Sequence, residues 1–283
     1  MTIEEHALAF RCHEDWLYGV VSLPPGECTR GVLIVVGGPQ YRAGSHRQFT
    51  LLARSLAQNG IAAMRFDYRG MGDSQGEPRD FLSVEDDLRA AIDAFTSAVP
   101  GLRDIVLWGL CDGASASVTY AATDARVRGL VLLNPWVRTD NGIARTTLKH
   151  YYRERLMDAA FWRDVLRGKL SYTRSLKSML QLARMALGSP SGARAKASDQ
   201  DALPDRMYAG MHAFDGPVLV VLSGADLTAR EFCDLAQATP KWQRLLGARR
   251  VTRFQLDQAD HTFSRQAWRD QVARWTGDWM RSW

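Results

Sequence analysis

The sequence predicts an α/β fold: a mostly parallel sheet of about eight strands with helices on both faces. Two observations carry this prediction. Six short runs of consecutive apolar residues, rich in β-branched types, recur along the 283-residue chain at 31–38, 61–67, 104–109, 127–134, 217–224 and 250–257. Segments with helical signals separate them. Strands that stay apolar at every position are buried on both faces, and strand–helix alternation is the pattern of a parallel sheet. Composition agrees, since 46% hydrophobic and 24% charged residues are globular values and the length suits one large or two small domains.

Before the first run, 6–12 and 16–23 read as an antiparallel hairpin at the sheet edge. Ser45-His46-Arg47-Gln48 has capping-box spacing and opens a helix to about residue 59, with Gly60 where a left-handed C′ residue belongs. Ser83 with Asp86 and Thr228 with Glu231 repeat the spacing, and Trp268, Val272 and Trp275 mark a closing amphipathic helix. Residues 140–216 break the rhythm. They read as helices near 143–157, 161–170 and 172–187 followed by a polar, mobile stretch, SPSGARAKASDQD. The expected organisation is a core of 1–139 and 217–283 with a helical cap, 140–216, inserted between the sixth and seventh strands.

Several function classes are excluded at this level. The longest apolar runs are strand-sized, far short of the ~18 residues of a membrane span. The start, MTIEEHALAF, lacks the positive charge and apolar stretch of a secretion signal, so a cytoplasmic protein is expected. Of the +5 net charge, all falls in 140–216, which holds 13 Lys and Arg against 8 Asp and Glu, while the rest of the chain carries 23 of each. No nucleic-acid partner is expected from a charge so confined. Its most natural reading is a solvated face, with receipt of an acidic substrate such as a phosphopantetheine or carboxylated acyl group, or weak peripheral membrane contact through 172–187, as the alternatives. Cys12, Cys28, Cys111 and Cys233 form no C-x-x-C pair and no ligand spacing, so neither disulfides nor a metal is expected, and no cofactor signature is present.

One cysteine stands in a telling context. Gly109-Leu110-Cys111-Asp112-Gly113 has the form G-x-C-x-G and runs from a strand into a small-residue helix. A nucleophile on such a sharp turn needs neighbours without bulk two residues away on either side, and a helix N-terminus favours an anion. A buried structural thiol is the ordinary fate of a cysteine. The strand–turn–helix setting singles out Cys111, and the other three lack it. Asp112 would work against a thiolate unless its carboxylate turns away or is paired.

A thiol nucleophile needs a histidine base, and the histidine needs a carboxylate. Among His6, His13, His46, His150, His212 and His261, the last lies just past the final strand, where it would emerge beside the turn. His46 is the rival. Asp226, after the seventh run, is the preferred acid, with Asp257 and Asp260 as alternatives. Its competing role is helix capping, which Thr228 is expected to fill.

The order nucleophile, acid, histidine, each after a parallel strand, resembles the α/β-hydrolase superfamily over nearly the whole chain. Asp67-Tyr68-Arg69-Gly70-Met71-Gly72-Asp73-Ser74 is similar to its D-x-R-G-x-G-x-S turn, read as scaffold. GGPQYRAGSHRQF, RFDYRGMGDS and GLCDGAS together resemble the exosortase A system-associated hydrolases, first type, a resemblance that implies a setting beside extracellular-polysaccharide genes. It implies Cys111 as nucleophile, Asp226 as acid and His261 as base. The oxyanion donors would be the Asp112 N–H and one from 37–40. Pro39 has no N–H, which leaves Gly38 or Gln40, with Gln40 preferred. Most members have serine as nucleophile; the cysteine resembles dienelactone hydrolases and polyhydroxyalkanoate synthases.

The expected function is acyl hydrolysis of a small ester or thioester through an acyl-cysteine, with Trp136, Tyr152, Phe161 and Trp162 lining the pocket under the cap. An acyltransferase using the same intermediate, and a catalytically weak binding or scaffold protein, are the alternatives.

Overall fold

The computed structural model describes residues 3–38, 40–137 and 203–283. Its sheet has eight strands in the order β1-β2-β4-β3-β5-β6-β7-β8. β1 (Glu4–Cys12) and β2 (Asp15–Leu23) form the antiparallel edge hairpin, and β2 lies antiparallel to β4 (Ala62–Phe66). From β4 onward the sheet is parallel, through β3 (Arg30–Val35), β5 (Asp104–Leu110), β6 (Val127–Leu133), β7 (Val218–Ser223) and β8 (Val251–Leu256). Each strand falls on its apolar run.

Strand periodicity explains why those runs are apolar throughout. Leu33, Val35, Leu107, Leu130 and Val220 point into one core, with α2 (Glu85–Ala98), α3 (Asp112–Tyr120), α5 (Leu227–Ala238) and α6 (Pro240–Leu246) packed above them. Val32, Ile34, Val106, Val131 and Val221 point into the other, under α1 (Gln48–Gln58) and α7 (Gln266–Arg281). At these positions, covered on both faces, a polar side chain would lose water.

The helix starts differ from expectation. Ser45 caps nothing: it begins a short 3-10 turn in which His46 and Arg47 are left-handed (φ 53° and 59°), and Ala43 O takes the Phe49 and Thr50 N–H groups instead. Ser83 lies in a 3-10 turn capped by Asp80 and gives its hydroxyl to Asp80 O, and the N-cap position of α2 falls on Val84, with no side-chain cap. At α5 the cap is Asp226, not Thr228, and it accepts the Thr228 and Ala229 N–H groups at 3.2 and 3.1 Å. Gly60 does end α1, at φ 82°.

Most of the segment read as a cap lies outside the described residues, including the three expected helices, the polar stretch, Tyr152, Phe161 and Trp162. Its final part forms α4 (Leu203–Ala213), a helix the sequence reading passed over. Leu203, Met207 and Met211 pack into the first core, and a Cβ at Gly210 would come within 2.4 Å of Val118 O on α3. Among the described residues no helix is long and apolar enough to cross a membrane.

Candidate active site

The turn between β5 and α3 puts Cys111 at φ 61°, ψ −125°, a conformation an L-residue adopts at a cost of about 1–3 kcal/mol. Close packing enforces it. A Cβ at Gly109 would lie 2.4 Å from the Gly113 carbonyl, and one at Gly113 would lie 2.4 Å from Val35 O. The half-buried Cys111 is thereby presented at the carboxyl end of the sheet, while Cys12 and Cys28 are buried. Burial, helped by Asp87, pushes the Cys12 thiol up to about 11, and burial also raises Cys28 and Cys233.

His261 reaches this turn from the loop after β8. Its Nδ1 lies 2.9 Å from Asp226 Oδ2, and the Cys111 side chain is near enough to the same ring to raise its proton affinity. With Nδ1 taken, Nε2 is the nitrogen left for sulfur. The Asp226 hydrogen bond, then the Cys111 side chain, raise His261 to about 10 against desolvation, with Coulomb attraction to both partners adding to the shift. Burial pushes Asp226 up, but His261 and the two capping amides outweigh it and hold the carboxyl below its ordinary range. One residue therefore both caps α5 and orients the ring.

The alternatives point elsewhere. Asp260 accepts the Ser264 N–H at 2.9 Å and the Ser264 hydroxyl, and Asp257 accepts from Gln255 Nε2 at 2.7 Å. His46 is exposed on its left-handed turn.

The sequence reading missed Asn134, which ends β6, is fully buried and has φ 43°. Its Nδ2 donates to His261 O at 3.0 Å and to Ser223 Oγ at 2.8 Å, while its Oδ1 accepts the Ser223 N–H at 2.8 Å. Ser223 Oγ donates in turn to Asp260 O at 2.8 Å. This pins the histidine loop to β6 and β7. The available signal was a lone polar residue closing the apolar run Val-Leu-Leu-Asn.

The Asp112 carboxylate is paired: its Oδ1 accepts the N–H groups of Gly38 at 2.6 Å and Gly113 at 3.0 Å. Burial raises its carboxyl, and the backbone N–H groups of Gly38, Gly113 and Asp112 itself, with His261, offset part of the rise. This bears on the second oxyanion donor expected from Gly38 or Gln40. The Gly38 N–H is engaged by Asp112, and the Gln40 N–H donates to Gly38 O at 2.8 Å. The side-chain Oε1 of Gln40 accepts the Ser45 N–H, so neither residue offers its amide as arranged. Trp136 lies beside the turn, its N–H on Cys111 O at 3.2 Å and its carbonyl accepting from Ser115 Oγ at 2.6 Å.

An eight-stranded, mostly parallel sheet with a strained strand-to-helix elbow beneath a His–Asp pair defines an α/β hydrolase. Residues 27–231 match the family described as serine aminopeptidase, S33, and the chain belongs to that family. Serine is usual there at the elbow; this chain has Cys111. A polyketide transferase, grgF, of Penicillium sp is 31% identical over 90 residues, 30% of this chain and 31% of the relative. A thiohydrolase, aneE, of Aspergillus aculeatus is 28% identical over 116 residues, 40% of this chain and 36% of the relative. The matched stretch thus spans about a third of each relative's length. The esterase Pf2001 of Pyrococcus furiosus superposes with a TM-score of 0.66 at 15% identity, over 99% of this chain and 93% of its own, a likeness of fold.

Proposed function

We propose that this α/β hydrolase cleaves a small acyl ester or thioester through a covalent acyl-cysteine, with Cys111 as nucleophile, His261 as base and Asp226 as the acid that orients it. The carrying observation is the His261–Asp226 hydrogen bond at 2.9 Å, on a ring whose proton affinity the Cys111 side chain also raises, beside an elbow that holds Cys111 at φ 61°. Sulfur attacks the acyl carbonyl as its proton resides on His261 Nε2, and Asp226 stabilises the imidazolium. The carbonyl oxygen becomes an oxyanion held by the Asp112 N–H at the start of α3. Its collapse expels the alcohol or thiol, which leaves with the proton from Nε2. Water, deprotonated by the now neutral ring, then attacks the thioester, releasing the acid and restoring the thiol.

Transfer of the acyl group to a hydroxyl or amine is the second reading. It is supported by the name of the polyketide transferase relative. The names of the polyketide transferase, thiohydrolase and esterase relatives fit one intermediate with different acceptors. Pocket-lining roles for Trp136, Tyr152, Phe161 and Trp162, a cap at 140–216 and an exosortase-associated setting in the cytoplasm rest on the sequence alone.

The test is turnover of aryl esters and acyl thioesters of graded chain length, with and without added alcohol or amine, in wild type and Cys111→Ala. Cysteine-dependent turnover in water alone supports the hydrolase; release that needs an acceptor supports the transferase. No turnover with any donor or acceptor would leave a binding protein on a hydrolase fold.

A further inference from the structure

The D-x-R-G-x-G-x-S turn after β4 reaches into the site. Two of its polar residues build the turn: Arg69 pairs with buried Asp87 at 2.8 Å, and Ser74 Oγ accepts the Tyr18 N–H at 3.0 Å while donating to Asp67 O at 2.8 Å. The first two point outward to the loop after β3, the loop that carries Gly38 beside the elbow. Tyr68 OH, fully buried, donates to Val36 O at 2.7 Å. Asp67, 1% exposed, accepts the Arg42 N–H at 2.6 Å and the Arg42 guanidinium, which also reaches Asp73 at 2.6 Å. Gly72 makes room, since a Cβ there would lie 2.4 Å from Asp67 Oδ2. With Asp112 holding Gly38, the loop is fixed at Val36, Gly38 and Arg42.

We propose that Asp67 and Arg42 are positioning residues for acyl transfer, setting the loop after β3 against the elbow where the oxyanion forms. This rests on the acyl-cysteine reading. A buried carboxylate that accepts both a backbone N–H and the guanidinium of one residue fixes that residue's main chain and side chain together, which a surface ion pair does not do. The pair touches neither the thiol nor His261, so its influence runs through the loop alone.

Two reactions of Cys111 separate positioning from general stability. Acylation by an aryl ester builds a tetrahedral oxyanion; alkylation by iodoacetamide displaces iodide and builds none. Asp67→Asn and Arg42→Lys are each expected to lower the acylation rate by about a hundredfold, the scale of a small misplacement of reacting groups, while alkylation keeps its rate. Asp73→Asn, which removes only the exposed arm, is expected to leave both rates unchanged. Parallel loss of acylation and alkylation, or no loss of acylation in either variant, overturns the proposal. If wild type alkylates at Cys111 but is never acylated there, the acyl-cysteine reading itself fails, an outcome visible without any variant.

Discussion

Asp226→Asn separates the two duties of a residue that caps α5 and faces His261. Asparagine has one acceptor oxygen where the carboxylate gives Oδ1 to the Thr228 N–H and Oδ2 to the Ala229 N–H, so one capping bond survives and the cap itself should lose less than about 1 kcal/mol. The charge does not survive. Opposite charges 2.9 Å apart attract by about 6 kcal/mol at an effective dielectric near 20. With 34% of the His261 side chain exposed, solvent screening leaves roughly half, about 3 kcal/mol, or about two pH units. The His261 midpoint, about 10 in wild type, should therefore fall by about two units, read from the ring proton shifts of histidine during an NMR titration. Acylation of Cys111 should slow by roughly 10⁴-fold, the scale of losing a triad carboxylate. A midpoint that stays in place, or acylation at the wild-type rate, would refute the assignment of Asp226. By contrast, Asp226→Ala removes the cap too and should cost about 1 kcal/mol more in urea unfolding.

Other consequences follow from the same geometry. Because His261 binds its proton more tightly folded than unfolded, its contribution to stability is fully present below about pH 6.5 and lost as pH rises through about 10. Urea midpoints of wild type should thus fall over that window more steeply than those of His261→Ala. Asn134→Ala strands the buried Ser223 N–H and frees the His261 loop, so it should lower stability by about 1–3 kcal/mol and reduce acylation, checked by unfolding and single-turnover rates. Gly37→Ala would set a Cβ 2.2 Å from Leu110 O and 2.4 Å from Asp112 Oδ1, and should abolish acylation even where circular dichroism shows a folded chain.

The strands were legible in the sequence because a sheet covered on both faces leaves no choice of residue along Val32–Val35 or Val218–Val221, and that signal is purely local. Cys111 was legible for a similar reason, since Gly109 and Gly113 mark a close approach that spacing alone reveals. The helix caps were not. Ser45 and Ser83 have the right neighbours in sequence, but His46 and Arg47 take left-handed conformations and Asp80 reaches Leu82 N first. Nor could sequence show where Asp112 points: its partners, Gly38 and Gly113, are brought together only when β3 and β5 pair. Asn134 showed only as a polar residue closing an apolar run, and its role could not be read for the same reason, its partners lying 89 and 127 residues away.

The central claim is that Cys111 carries the acyl group, and intact-mass measurement with peptide mapping after brief exposure to an acyl thioester tests it most directly. One acyl mass on the peptide containing Cys111, absent in Cys111→Ala and lost with time in water or acceptor, is the predicted result. An adduct on Cys12, Cys28 or Cys233 in its place, or acylation that persists in Cys111→Ala, would contradict it.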